Sequence, residues 1–288
     1  MAVKRHNRCS LRNAGALHMP SLLAFIGGGN MAGAIVGGLV AAGRDPRSLV
    51  VVEPLEEQRA RLESAHGVRT LAAADATLAA AALVVWAVKP QAFREAAVPC
   101  APHVGGALQL SVMAGIRSDA IVRATGSERV VRAMPNTPAL IGRGIAGLYA
   151  RPAVDEADRA LVGEVLAPTG RVLWVEREAD LDAVTALSGS GPAYVFYLAE
   201  AMVEAAQAMG FAAAQGRELA LATIAGAAEL AGRSSEPLAL LRERVTSKGG
   251  TTHAALASHE ADGVKAAFVR ALLAARRRAE ELGDEFGA

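Results

Sequence analysis

Two glycine-rich stretches carry the residue types most suited to chemistry. Near the amino end, Gly27-Gly28-Gly29-Asn30-Met31-Ala32 follows the apolar run Leu22-Leu23-Ala24-Phe25-Ile26 and precedes an Ala/Ile/Val/Leu-rich segment that ends near Gly43. Strand, glycine turn and helix in that order is the setting in which this spacing binds a dinucleotide. Gly27 lets the chain turn tightly, Gly29 leaves the backbone open to a pyrophosphate, and Ala32 beside Gly33 lets the helix pack closely on the sheet. The helix start adds unpaired N–H groups and the positive end of its dipole. Near the other end, Ser247-Lys248-Gly249-Gly250-Thr251-Thr252 interrupts a helical pattern. Two glycines, three hydroxyls and a helix N-terminus make an oxyanion nest that suits a small carboxylate. The plainer alternative is a helix–helix turn with Thr251 or Thr252 as N-cap.

Three further groups fall where the same kind of fold binds ligands. The run Leu49–Val52 reads as a second strand ending in Glu53-Pro54. There dinucleotide folds place the group that reads the adenosine ribose, although a solvated turn residue explains Glu53 as well. A strand over 83–87 runs into Val88-Lys89-Pro90-Gln91, which puts Ala87, Val88, Lys89 and Pro90 at a strand's carboxyl edge. Met134-Pro135-Asn136-Thr137-Pro138-Ala139 shares that edge. Its two prolines forbid a continued strand and leave Asn136 and Thr137 on a stiff turn, which punctuation alone also accounts for.

These groups need a parallel sheet to hold them. Further strands are expected at 68–71, 107–112 and 130–133, with 144–149 and 171–175 as edge strands. From about Asp180 the pattern is helical to the end. Ser188-Gly189-Ser190-Gly191-Pro192 opens a helix over 193–209, with serine oxygens as caps. That helix is apolar nearly all round, so something must bury it on every side. Helices over 218–231, from about 253, and over 264–282 follow. This much apolar helix in so short a stretch suggests a subunit interface. The division expected is residues 1–20 as a disordered arm, 21–179 as a dinucleotide-binding domain, and 180–288 as a helical dimerisation and substrate domain. The arm carries Lys4, Arg5, Arg8 and Arg12 with no acid; a transit peptide is the other reading of that composition, and Met19 is the natural start in the first.

Composition narrows the function. Of 288 residues 52% are hydrophobic but only 4% aromatic, which favours helices and a buried parallel sheet over a β-sandwich. With 30 basic and 29 acidic residues, neither a nucleic-acid nor a membrane-surface partner is indicated. The longest apolar run, 78–88, is too short to cross a bilayer. Cys9 and Cys100 form no motif and the six histidines show no metal spacing, so reduced thiols in the cytoplasm and no metal site are expected.

Five segments together resemble pyrroline-5-carboxylate reductase, over nearly everything after Met19. They are Phe25-Ile26-Gly27-Gly28-Gly29-Asn30-Met31, Ala87-Val88-Lys89-Pro90-Gln91, Arg132-Ala133-Met134-Pro135-Asn136-Thr137-Pro138-Ala139, Leu187-Ser188-Gly189-Ser190-Gly191-Pro192-Ala193-Tyr194 and Ser247-Lys248-Gly249-Gly250-Thr251-Thr252. The resemblance implies an α/β Rossmann-like amino-terminal domain with a mostly parallel sheet. It also implies an all-α carboxyl-terminal domain that forms a homodimer or a higher homo-oligomer. The implied reaction is hydride transfer from NAD(P)H to the C=N carbon of 1-pyrroline-5-carboxylate, giving L-proline. On the same ground Ile26, Gly27, Gly28, Gly29, Asn30, Met31, Ala87, Val88, Lys89 and Pro90 are expected at the cofactor; Glu53, by its place at the end of the second strand, and Asn136, on the stiff turn at the same edge, are expected there too. Ser247, Gly249, Gly250, Thr251, Thr252 and Glu178 are expected at the substrate, with Thr252 as the hydrogen-bonding group at the ring nitrogen. Two departures stand out: Lys248 where many members have proline, and Glu53 where many have a neutral residue. A β-hydroxyacid dehydrogenase is the nearest alternative, but 192–202 lacks the lysine and asparagine of that family's substrate helix. A dinucleotide-sensing regulator would leave the 247–252 nest without a purpose.

Overall fold

Eight strands form one twisted sheet in the order β3-β2-β1-β4-β5-β6-β7-β8, with helices on both faces. The computed structural model describes residues 21–287, so the expectations for the arm lie outside the described residues. The strands are β1 Leu22–Ile26, β2 Leu49–Val52, β3 Arg69–Leu71, β4 Ala81–Trp86, β5 Leu108–Ser111, β6 Val130–Met134, β7 Gly144–Ala150 and β8 Gly170–Trp174. All neighbours run parallel except β6 and β7. Helices α1 Asn30–Ala41, α2 Glu56–His66, α3 Phe93–Val104, α4 Ser118–Thr125 and α5 Glu156–Leu166 connect them.

The core follows from period-two alternation along strands buried on both faces. Leu23 and Phe25 join Ile35, Val36 and Leu39 of α1 on one side. Ala24 and Ile26 join Trp86, Phe93 and Val104 on the other. One expectation changes here. Residues 144–149 were read as an edge strand, but β7 lies between β6 and β8, and only β8 closes the sheet on that side. Edge and interior strands of similar sequence differ only in their partners, which local pattern does not encode.

After Trp174 the described chain is helical: α6 Asp180–Val184, a π-helical turn Thr185–Gly189, α7 Gly191–Ala208, α8 Ala213–Arg233, α9 Leu238–Arg244, α10 Thr251–Ala261 and α11 Val264–Gly287. Helix α9 was not anticipated, and α8 begins five residues before the expected Glu218. The expected serine caps of α7 are also absent. Ser190 makes no side-chain cap, and the Ser188 hydroxyl instead donates back to the Val184 carbonyl at 3.0 Å. Helix α7 packs along α8, and its Tyr194 meets Phe268 of α11 edge to face at 5.9 Å. Its other faces are bare: Phe196 is 59% and Tyr197 76% exposed.

Candidate functional site

The strand order reverses between β1 and β4, which opens a crevice beyond their carboxyl ends. The 27–31 turn sits there. Gly27 has φ +97° and donates its N–H to the Val52 carbonyl at 2.9 Å. A Cβ on Gly27 would lie 2.8 Å from the Ala87 carbonyl oxygen, so neither the conformation nor the space admits a side chain. Gly29, by contrast, faces open space and is the N-cap of α1, which has no side-chain cap and no acidic residue in its first turn. The N–H groups and dipole end of α1 are therefore free to meet a phosphate. A cradle that a Cβ would fill at Gly27, open at Gly29, fits a pyrophosphate.

Glu53 is neither solvated nor simply aimed at a ribose. It is 8% exposed. Oε2 accepts the Gly28 N–H at 2.8 Å and Oε1 accepts the Leu55 N–H at 3.0 Å. Its carboxylate thus ties the phosphate turn to the β2–α2 turn, and the Gln58 side chain adds a bond to the Gly28 carbonyl. The Arg59 guanidinium donates through Nη1 to the carbonyls of Glu53 and Pro54, at 2.9 and 2.7 Å, so it braces the same turn.

Three more turns line the crevice beyond β1. Ala87 is pinned by its N–H to the Ile26 carbonyl at 2.8 Å, and Lys89 stands exposed before the short helix Pro90–Ala92. The turn after β5, Val112-Met113-Ala114-Gly115, lies between these residues and the turn after β6, and sequence reasoning passed it over. A run of small and apolar residues ending a parallel strand was the only signal. In the turn after β6, the Asn136 side chain is engaged at both ends. Oδ1 accepts the Ile145 N–H at 3.0 Å and Nδ2 donates to the Ser188 carbonyl at 3.1 Å.

Residues 247–252 form an exposed turn leading into α10. Gly249 has φ +73°, the Gly250 N–H returns to the Ser247 carbonyl at 3.0 Å, and Gly250 is the N-cap. Thr251 and Thr252 are the first two helical residues, so the alternative of a threonine N-cap is not what forms. The first-turn N–H groups of α10 remain open as an anion seat. Helix α10 leans on α11 and shares no substantial contact with any strand.

Glu178, expected at the substrate, is bonded within its own chain to Ser118 and Arg132. Oε1 accepts the Ser118 N–H at 2.6 Å and an Arg132 N–H at 2.7 Å, and Oε2 accepts the Ser118 hydroxyl at 2.6 Å. Burial pushes the Glu178 carboxyl up, but the Ser118 bonds and the Arg132 charge outweigh it, and its pKa is lowered. Arg117 pairs with Asp182 beside it at 3.0 Å. Arg132, 4% exposed, keeps a buried Nε without a hydrogen-bond partner.

The family described as pyrroline-5-carboxylate reductase dimerisation matches residues 178–282. That described as NADP oxidoreductase, coenzyme F420-dependent, matches residues 22–115. Pyrroline-5-carboxylate reductase of Pseudomonas aeruginosa is 41% identical over 92% of this chain and 98% of its own. That of Haemophilus influenzae is 40% identical over the same shares. Among solved structures, a pyrroline-5-carboxylate reductase from Coxiella burnetii superposes with TM-score 0.86 at 36% identity, covering 91% of this chain and 98% of its own. The Plasmodium falciparum pyrroline carboxylate reductase with NADP bound gives TM-score 0.82 at 27% identity, covering 92% and 98%. Identity at this level over nearly the whole length places the glycine turn, the crevice and the helical half in one common framework: the chain belongs to the pyrroline-5-carboxylate reductase family.

Proposed function

We propose that this protein reduces 1-pyrroline-5-carboxylate to L-proline with NAD(P)H, the last step of proline biosynthesis. The observation that carries the reading is the glycine turn at the β1/β4 crevice, closed at Gly27 and open at Gly29 at the head of α1. When bound, the reduced nicotinamide supplies a hydride, two electrons, to the C=N carbon, and the ring nitrogen retains its proton as the amine. In this reading Ile26, Gly27, Gly28, Gly29, Asn30 and Met31 hold the pyrophosphate end. Glu53 borders the adenosine ribose, and Ala87, Val88, Lys89 and Pro90 line the far half. Ser247, Gly249, Gly250 and Thr251 hold the substrate carboxylate at the start of α10, and Thr252 bonds the ring nitrogen. A protonated cyclic imine is already electrophilic, so the protein's work is orientation, worth roughly 7–11 kcal/mol at best.

Because α10 leans on α11 and shares no substantial contact with any strand, the complete site in this reading is assembled between subunits of a homodimer or a higher homo-oligomer. Residues 21–179 then act as the dinucleotide-binding unit and 180–288 as the dimerisation and substrate unit. No helix among the described residues is long and apolar enough to cross a membrane. Cys100 is a buried free thiol whose pKa burial raises to about 11. A cytoplasmic location belongs to this reading. The test is oxidation of NADH and NADPH by the purified protein with pyrroline-5-carboxylate and without it, beside reduction of NAD+ and NADP+ with β-hydroxyacids. Oxidation only with the imine supports the reading, and turnover of hydroxyacids alone or of nothing overturns it.

A further inference from the structure

Residues 180–208 run as one nearly continuous helix, broken only by the π-helical turn Thr185–Gly189, where the Ser190 N–H reaches the Thr185 carbonyl at 2.8 Å. Such turns insert an extra residue and recur at functional sites. Here the hydroxyls of Thr185 and Ser188 bond back to the Leu181 and Val184 carbonyls, at 2.7 and 3.0 Å, a pattern that bends helices. The residue four positions after Ser188 is Pro192, which has no N–H. The Ser188 carbonyl therefore cannot take the usual helical bond. Its donor comes from the other domain, the Nδ2 of Asn136 at 3.1 Å. The Ile145 N–H on Oδ1 fixes which way that amide faces. On either side of this bond the two parts are in close contact. A Cβ on Gly189 would lie 2.6 Å from the Met134 methyl, and one on Gly147 would lie 2.7 Å from Val184. Helix α11 also packs on α6 and the π turn.

We propose that Asn136 is a positioning residue that pins the π turn, and with it the start of α7, to the crevice edge of the sheet. It replaces the hydrogen bond that Pro192 withholds. Both ends of its side chain are engaged by protein groups, and its part is to position the turn rather than to read the cofactor. Since α7 carries the bare apolar face on which subunits meet, the pin sets how the crevice of one subunit faces the substrate seat. This inference rests on the reductase reading.

The test compares wild type with Asn136→Asp, which keeps the acceptor for Ile145 and sets a carboxylate oxygen against the Ser188 carbonyl. Asn136→Ser removes the donor without adding charge and serves if the first variant does not fold. Expected is a fall in kcat of about tenfold or more, with the Kd for NADPH in the free enzyme held within about threefold. Amide exchange over residues 185–193 should accelerate while that of β1 stays unchanged. Wild-type kcat together with wild-type exchange overturns the proposal. So does a loss of NADPH affinity as large as the loss in kcat/KM, which would make Asn136 a cofactor ligand. A wild-type protein that fails to reduce pyrroline-5-carboxylate overturns the reductase reading alone, and the exchange comparison still decides the pin.

Discussion

Glu53 has two tasks that pull in different directions. Its charge at the end of β2 repels a 2′-phosphate: at 4 Å and an effective dielectric near 20, one pair of unit charges costs about 4 kcal/mol before screening. Its oxygens also hold the Gly28 and Leu55 N–H groups. NADH is therefore expected to serve at least as well as NADPH. Glu53→Ser should raise KM for both cofactors, because the Gly28 N–H loses its buried acceptor at about 1–3 kcal/mol, and should shift the ratio toward NADPH. Measuring kcat/KM for both cofactors in both proteins checks this; a wild type that prefers NADPH tenfold would show that the charge is not felt at the ribose. Thr252 makes no cap at the start of α10, so its hydroxyl is available to a ligand. Thr252→Ala should lower turnover by the equivalent of about 1–3 kcal/mol with cofactor affinity intact, read from steady-state kinetics and NADPH binding. Unchanged turnover would reduce Thr252 to a bystander.

Between elements, the joint that matters is where α4, β6 and the approach to α6 converge on Glu178. The carboxylate satisfies the first-turn N–H of α4 at Ser118 and neutralises buried Arg132. Because its pKa is lowered on folding, its stabilisation is complete above the ordinary carboxylate range, near pH 4.3, and is lost as pH falls through the folded value. Glu178→Gln should cost about 3 kcal/mol at pH 7, since it strands a buried guanidinium. It should also flatten the acid limb of the stability curve below about pH 4. Urea titrations at pH 7 and pH 3.5 read both effects. An equal loss at the two pH values would mean that folding does not lower the carboxyl's pKa.

The whole molecule leaves a large apolar helical surface bare, including Val195, Phe196, Tyr197 and Leu198 on α7 and Phe268, Val269 and Leu273 on α11. Exposure on this scale marks an interface. Sedimentation at micromolar concentration should show a dimer or a multiple of it, and a folded monomer would contradict the reading. Assembly of the site between subunits has a sharper consequence. Mixing Thr252→Ala subunits with Gly27→Ala subunits should restore part of the activity that each lacks alone. Each mixed dimer pairs one intact crevice with one intact seat. Mixtures no more active than their components would place crevice and seat in the same chain.

Local chemistry was enough to write down the glycine turn, the parallel strands and the 247–252 turn that opens α10. Gly27 needs a positive φ, alternating Leu23 and Ala24 need two buried faces, and the glycine pair before two threonines interrupts one helix and opens the next. These are properties of a residue and its near neighbours along the chain. What Glu53, Asn136 and Glu178 do was decided by partners 25, 52 and 60 residues away, at Gly28, Ser188 and Ser118. Each offers hydrogen-bonding groups that either a ligand or the protein can satisfy, and burial decides between them. The same holds for β7, whose interior place depends on β8 arriving beside it. A side chain's type states which bonds it can make; only the folded chain determines which groups reach it first.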